Sequence, residues 1–89
     1  SFHDVTITTT INELTQVLGE PSYYGDSIED KVNVEWVCEL ENENVVTIYD
    51  WKEYRSIGKD ETIEFHIGGM SKLDTIDAKL ELQSLISNK

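Results

Sequence analysis

The stretch from Lys31 to Trp51 constrains the fold more than any other. Val32, Val34, Trp36, Cys38 and Leu40 alternate with Asn33, Glu35, Val37 and Glu39. A period of two sends the first set to one face of a strand and the second set to the other. Glu41, Asn42, Glu43 and Asn44 form a short polar break, and Val45 to Trp51 is a second run rich in β-branched and aromatic residues. Two such runs around a polar loop predict a β-hairpin. Its second strand is bulky on both sides, with Val46 and Ile48 pointing one way and Val45, Thr47, Tyr49 and Trp51 the other. A sheet with one wet face has no need of this. A helix, the preceding loop or another molecule is expected to cover part of the second face.

Helices and further strands flank the hairpin. Thr10-Ile11-Asn12-Glu13 has the capping-box pattern, with Thr10 as N-cap and Glu13 reaching back. Ile11, Leu14, Val17 and Leu18 then share one helical face. Gly19 is expected to end this helix, Thr10–Leu18, as a left-handed cap, and Pro21 stops its resumption. Phe2 to Thr8 reads as a short edge strand or an extended lead-in. Thr62 to Ile67 alternates again, with Ile63, Phe65 and Ile67 as its apolar set, and Gly68-Gly69 reads as a flexible turn. Ser71 caps a second helix running to Ile86, with Asp74 in its first turn. This helix carries Leu73, Ile76 and Leu80 on one side, and Ala78, Leu82, Leu85 and Ile86 on roughly the opposite side. The first stripe is expected to face the sheet and the second a partner.

The expected class is therefore α+β: a three- to four-stranded antiparallel sheet with two helices packed on it, in one domain of 89 residues. A chain of this size buries roughly 60–65% of its unfolded surface, which allows one modest core. Ile11, Leu14, Leu18, Val34, Trp36, Ile48, Ile63, Phe65, Leu73 and Ile76 are expected to fill it.

Charge narrows the function classes. Eighteen acidic residues against seven basic ones give a net charge of −11. Residues 1 to 50 hold eleven acidic residues and one basic residue, Lys31, whereas residues 51 to 89 hold seven acidic and six basic ones. Such a field repels nucleic-acid phosphate and favours basic partners. No run approaches the roughly 20 apolar residues of a membrane span. The first residues lack the basic and apolar pattern of a leader, and the one cysteine, Cys38, reads as a small core thiol. A cytoplasmic setting is expected.

The loop from Glu20 to Asp30 holds Asp26, Glu29 and Asp30 beside Tyr23 and Tyr24. Its acidic spacing lacks the alternate ligand positions and terminal Glu of a calcium loop. His3 and His66 do not form a metal-binding pattern, and no cofactor is implied. Gly68-Gly69-Met70-Ser71, with His66 and Lys72 near, is the one candidate anion-binding turn. It lacks the spacing of a phosphate loop, and a tight turn feeding a helix is the simpler account. No carboxylate pair sits beside an apolar pocket, and no serine or cysteine has a paired base, so an enzyme is not expected.

Three pieces in order carry a resemblance. They are Leu18-Gly19-Glu20-Pro21, then Glu35-Trp36 followed by Thr47-Ile48-Tyr49-Asp50-Trp51-Lys52, then Phe65-His66-Ile67-Gly68-Gly69. This order, covering about Ile11 to Ser71, resembles a group of small, uncharacterised bacteriophage proteins. The resemblance implies a phage origin and a host bacterial cytoplasm, and it carries no catalytic residues. The function expected on this basis is a non-enzymatic protein that inhibits a host nucleic-acid-processing or defence protein. Its carboxylates would stand in for DNA phosphates on a basic host surface. The contact residues would be Tyr23, Tyr24, Glu29, Asp30, Glu35, Glu39, Glu41, Glu43, Tyr49 and Trp51, with aromatic anchors among acidic groups. No direct nucleic-acid or membrane partner is expected, and the second stripe of the C-terminal helix is expected to form a homodimer or to be buried by the partner. The alternative is a small oligomer that sequesters an anionic small molecule such as a nucleotide defence signal, with Arg55, Lys59 or Lys72 lining its pocket.

Overall fold

A computed structural model describes residues 2–25, 32–53 and 55–88. Five strands and two helices follow in the order β1 (Phe2–Thr9), α1 (Ile11–Leu18), β2 (Tyr23–Tyr24), β3 (Val34–Glu39), β4 (Val45–Tyr49), β5 (Ile63–Gly69) and α2 (Lys72–Ser87). The strands form one antiparallel sheet in the order β1-β5-β4-β3-β2. The class is α+β as expected, but the sheet has five strands rather than three or four. The lead-in is a full edge strand paired with β5, and β2 adds a two-residue strand at the other edge. Two residues are too few for a period to show, which hid β2 from the sequence.

Local chemistry fixes the helix ends. The Thr10 hydroxyl accepts the Glu13 amide at 3.0 Å, and the Ser71 hydroxyl accepts the Asp74 amide at 3.1 Å. Gly19 ends α1 with φ 87° and ψ −168°. That is an extended conformation with positive φ, open essentially to glycine alone, rather than the expected left-handed helical cap. This geometry turns the Gly19 carbonyl to the Trp36 indole, which donates to it at 3.0 Å.

Both helices lie on one face of the sheet. Helix α1 carries the chain from the β1 edge towards the β2 edge, and α2 packs on β1, β5, β4 and α1. Between the layers lie Ile7, Ile11, Leu14, Val34, Trp36, Val46, Ile48, Ile63, Phe65 and Ile67, joined by Ala78 and Leu82 from α2. Trp36 meets Phe65 edge-on, with centroids 6.0 Å apart. Ile57, from the loop after β4, closes one end. The Lys59 carbonyl of the same loop accepts the Asn12 amide at 3.0 Å and ties it to α1.

Two expected core residues lie outside. Leu73 and Ile76 are 66% and 38% exposed, whereas Ala78 and Leu82 of the opposite stripe are buried. Leu18 is partly buried against the core. The reversal has a physical cause at the start of α2. Asp74 and Thr75 point inward, because Asn42 and Asn44 of the β3–β4 loop donate to Asp74 Oδ1 and Oδ2 at 3.1 and 2.9 Å. These bonds, together with the burial of Ala78 and Leu82 in the core, favour the rotation that leaves Leu73, Ile76 and Leu80 exposed.

The Gly68-Gly69 pair is not a turn. It continues β5, with Gly69 opposite Phe2 and Val46, and Gly68 opposite Thr47. A Cβ on Gly68 would stand 2.9 Å from His3 Nδ1 and 3.0 Å from Thr47 Oγ1. A Cβ on Gly69 would stand 3.0 Å from Thr75 Cγ2. Both glycines are therefore there for close packing on the two faces of the sheet. The candidate anion-binding turn thus begins inside a paired strand.

Asp50 joins β4 to the start of β3. Its fully buried Oδ1 accepts the amides of Asn33 and Val34 at 2.7 and 3.0 Å, and its Oδ2 accepts Asn33 Nδ2 at 3.0 Å. Asn33 Nδ2 also donates to the Arg55 carbonyl at 3.2 Å. Backbone donors that would otherwise lie unpaired at a strand end are satisfied by one carboxylate.

Candidate functional site

The sheet face opposite the helices is open among the described residues. Residues directly opposite one another on neighbouring strands point to the same side. Register therefore places Tyr23, Glu35, Tyr49, His66 and Thr6 in a single row across all five strands. A neighbouring row holds Val37, Thr47 and Gly68, and the next pairs Glu39 with Val45. Glu64 and Thr8 lie on this face near the β1 edge. None of these strand residues is Lys or Arg.

Neither helix covers the bulky second side of β4, and side chains of the neighbouring strands pack on it instead. His3 and His66 surround Tyr49. A hydrogen bond of 2.8 Å joins Tyr49 Oη to His3 Nδ1. The His66 ring stacks on the Tyr49 ring at 5.8 Å and 22°, while Trp51 meets it edge-on at 6.3 Å and 81°. His66 Nδ1 lies 3.5 Å from the His3 carbonyl oxygen. The absence of a Cβ on Gly68 makes room for His3. Burial, and then the negative charge of Glu35, push the Tyr49 phenol above its ordinary value. The phenol is therefore neutral across the physiological range. The cluster walls an open cleft of about 510 Å³.

The remaining contact residues expected from the sequence spread from this cleft. Tyr23 and Tyr24 are 45% and 56% exposed on edge strand β2, and their register sends Tyr23 to the open face. Glu35 is half-buried, and Glu39 is exposed on the same face. Glu41 and Glu43 are exposed in the β3–β4 loop, where Glu43 takes φ 72°. Trp51 is 41% exposed, with the Lys52 ammonium 5.6 Å from its ring centroid. Glu29 and Asp30 lie outside the described residues. The structure thus gathers Tyr23, Glu35, Glu39, Tyr49 and Trp51, and it sets Glu41 and Glu43 at the end of the hairpin. Sequence reasoning missed His3 and His66 as partners of Tyr49. The alternation that put His66 on the polar side of its strand was a usable signal, but the bulge between Phe2 and Val5 that brings in His3 was not.

Other candidate groups are already engaged. Arg55 forms a two-pronged ion pair with Glu61, one bond of which is 2.9 Å long, and reaches Glu53 at 3.4 Å. Of the three cations expected to line an anion pocket, Arg55 is thus paired at the surface, and Lys59 and Lys72 are exposed. The hydrogen bond from Arg55, and then that from the Gly58 amide, hold the Glu61 carboxyl below its ordinary range. Cys38 is half-buried beside Leu18, Leu40 and Leu82, in keeping with a packing thiol. Burial, and then Glu81, push its thiol up, so it stays protonated at neutral pH. On α2, Leu82 is core rather than partner-facing, and the outward stripe is Leu73, Ile76 and Leu80. No helix among the described residues is long and apolar enough to cross a membrane.

No protein-family model, no curated protein and no solved structure matches this chain.

Proposed function

We propose that this chain is a non-enzymatic binding domain that inhibits a nucleic-acid-processing or defence protein of a bacterial host. Its open sheet face docks on a basic surface of that protein and takes the place of nucleic acid. The supporting observation is the composition of that face. Tyr49, Trp51 and Tyr23 stand among Glu35, Glu39 and Glu64, and no strand residue there is Lys or Arg. Aromatic anchors within a charged surround are the anatomy of a specific protein contact. The net charge of −11 adds long-range steering to a basic target. The resemblance of the motifs to phage proteins supports the host setting.

The test compares wild type with a Glu35→Gln, Glu39→Gln, Glu41→Gln, Glu43→Gln variant, each immobilised and exposed to bacterial lysate. Wild type should retain a protein that duplex DNA displaces. Retention should weaken as salt rises past about 0.15 M, where screening reaches about 8 Å. The variant should retain none of it, and capture unchanged by the four substitutions would contradict the proposal. We also propose a second copy of the chain as the partner of α2, now through Leu73, Ile76 and Leu80, three exposed apolar residues at 3,4 spacing. Light scattering should then show a dimer for wild type and a monomer for Leu73→Ser with Leu80→Ser.

A further inference from the structure

The cleft on the open face has a chemistry of its own. Its lining includes His3, Glu35, Thr47, Tyr49, Trp51 and His66. Among the described lining residues Glu35 is the one carboxylate, and none is Lys or Arg. Among the described residues no donor reaches the Glu35 carboxylate, although its charge is felt at the Tyr49 phenol. The rings of Tyr49 and Trp51 stand at 81° to each other and give the cleft two walls. The Trp51 ring already attracts a cation, since the Lys52 ammonium lies 5.6 Å from its centroid, yet Lys52 does not line the cleft. A negative group beside π faces selects for a cation and against a phosphate.

We propose that this cleft receives an arginine side chain of the basic partner, with the guanidinium against the exposed Trp51 ring and forking to the Glu35 carboxylate. The proposal deepens the binding reading above and rests on it for the partner, though not for the cleft. Arginine fits better than lysine because its planar, weakly hydrated head can stack and donate two parallel hydrogen bonds at once.

The test uses the full chain, isotope-labelled for NMR, and an acetylated, amidated Gly-Gly-Arg-Gly-Gly peptide. The Tyr49, His66 and Trp51 indole signals should move on titration, while those of buried Trp36 and Phe65 stay in place. The citrulline peptide keeps the shape and loses the charge, so it should bind about tenfold more weakly or worse, as expected for a lost charge-assisted fork. Glu35→Gln and Trp51→Ala should each weaken the arginine peptide, with unmoved Trp36 and Phe65 signals showing that the variants are folded. Equal binding of the two peptides would overturn the proposal. So would shifts confined to another surface, or stronger movement of the same signals by adenosine monophosphate. If the peptide fails while capture from lysate still depends on the glutamates, this inference alone falls. If the peptide binds but no partner is captured, the inhibitor reading falls instead.

Discussion

Asp50 and Asp74 are the residues on which most of the polar architecture turns. Asp50 is fully buried and satisfies two backbone amides and one side-chain amide at the start of β3. Asp50→Ala would strand those donors without water and should cost about 3 kcal/mol in urea unfolding, within the range for orphaned buried groups. In the sequence Asp50 was legible only as part of the Tyr-Asp-Trp-Lys motif, because a carboxylate carries no mark of burial. Asp74 locks the hairpin loop to α2. The bond from Asn42 above all, with those from Asn44 and the Ser71 hydroxyl, holds its carboxyl below its ordinary range despite burial. A carboxylate depressed on folding contributes stability above its unfolded pKa, about 3.9, and loses it as pH falls through the lower folded value. Wild type should therefore be more stable than Asp74→Asn at pH 7, and the gap should shrink as unfolding is repeated towards pH 3.

At the scale of elements, periodicity and capping carried most of the reading. Thr10 and Ser71 cap their helices as their sequences imply, and the alternation of the hairpin correctly buries Val34, Trp36, Val46 and Ile48. What failed was orientation. Helix α2 has apolar residues on two sides, and a helical period cannot say which side meets a sheet. The helix meets the sheet through its Ala78 and Leu82 side, and on that side the Asn42–Asp74–Asn44 bonds join side chains 30 or more positions apart in the chain. A simple comparison checks the outcome. Leu82→Ala should cost about 2–4 kcal/mol through lost burial and a cavity, and Leu80→Ala well under about 1 kcal/mol. Gly68-Gly69 misled for a related reason. A glycine pair signals a turn locally, but here each glycine answers to a side chain from another element.

For the whole molecule, the division of labour between the two faces of the sheet is the main result. One face carries the helices and the core, and the other carries an aromatic and histidine cluster among carboxylates. Surplus bulk in the second hairpin strand was legible in the sequence. That it packs with His3 and His66 was not, because those residues come from strands far apart in the chain. The central claim is that the open face, rather than the outward side of α2, meets the partner. Its most direct test is parallel capture from bacterial lysate with two variants beside wild type. Glu35→Gln, Glu39→Gln alters only the open face, and Leu73→Ser, Ile76→Ser, Leu80→Ser alters only the helix. The same captured protein should be lost with the first variant and kept with the second, whereas its loss with the helix variant and full retention by the open-face variant would contradict the account.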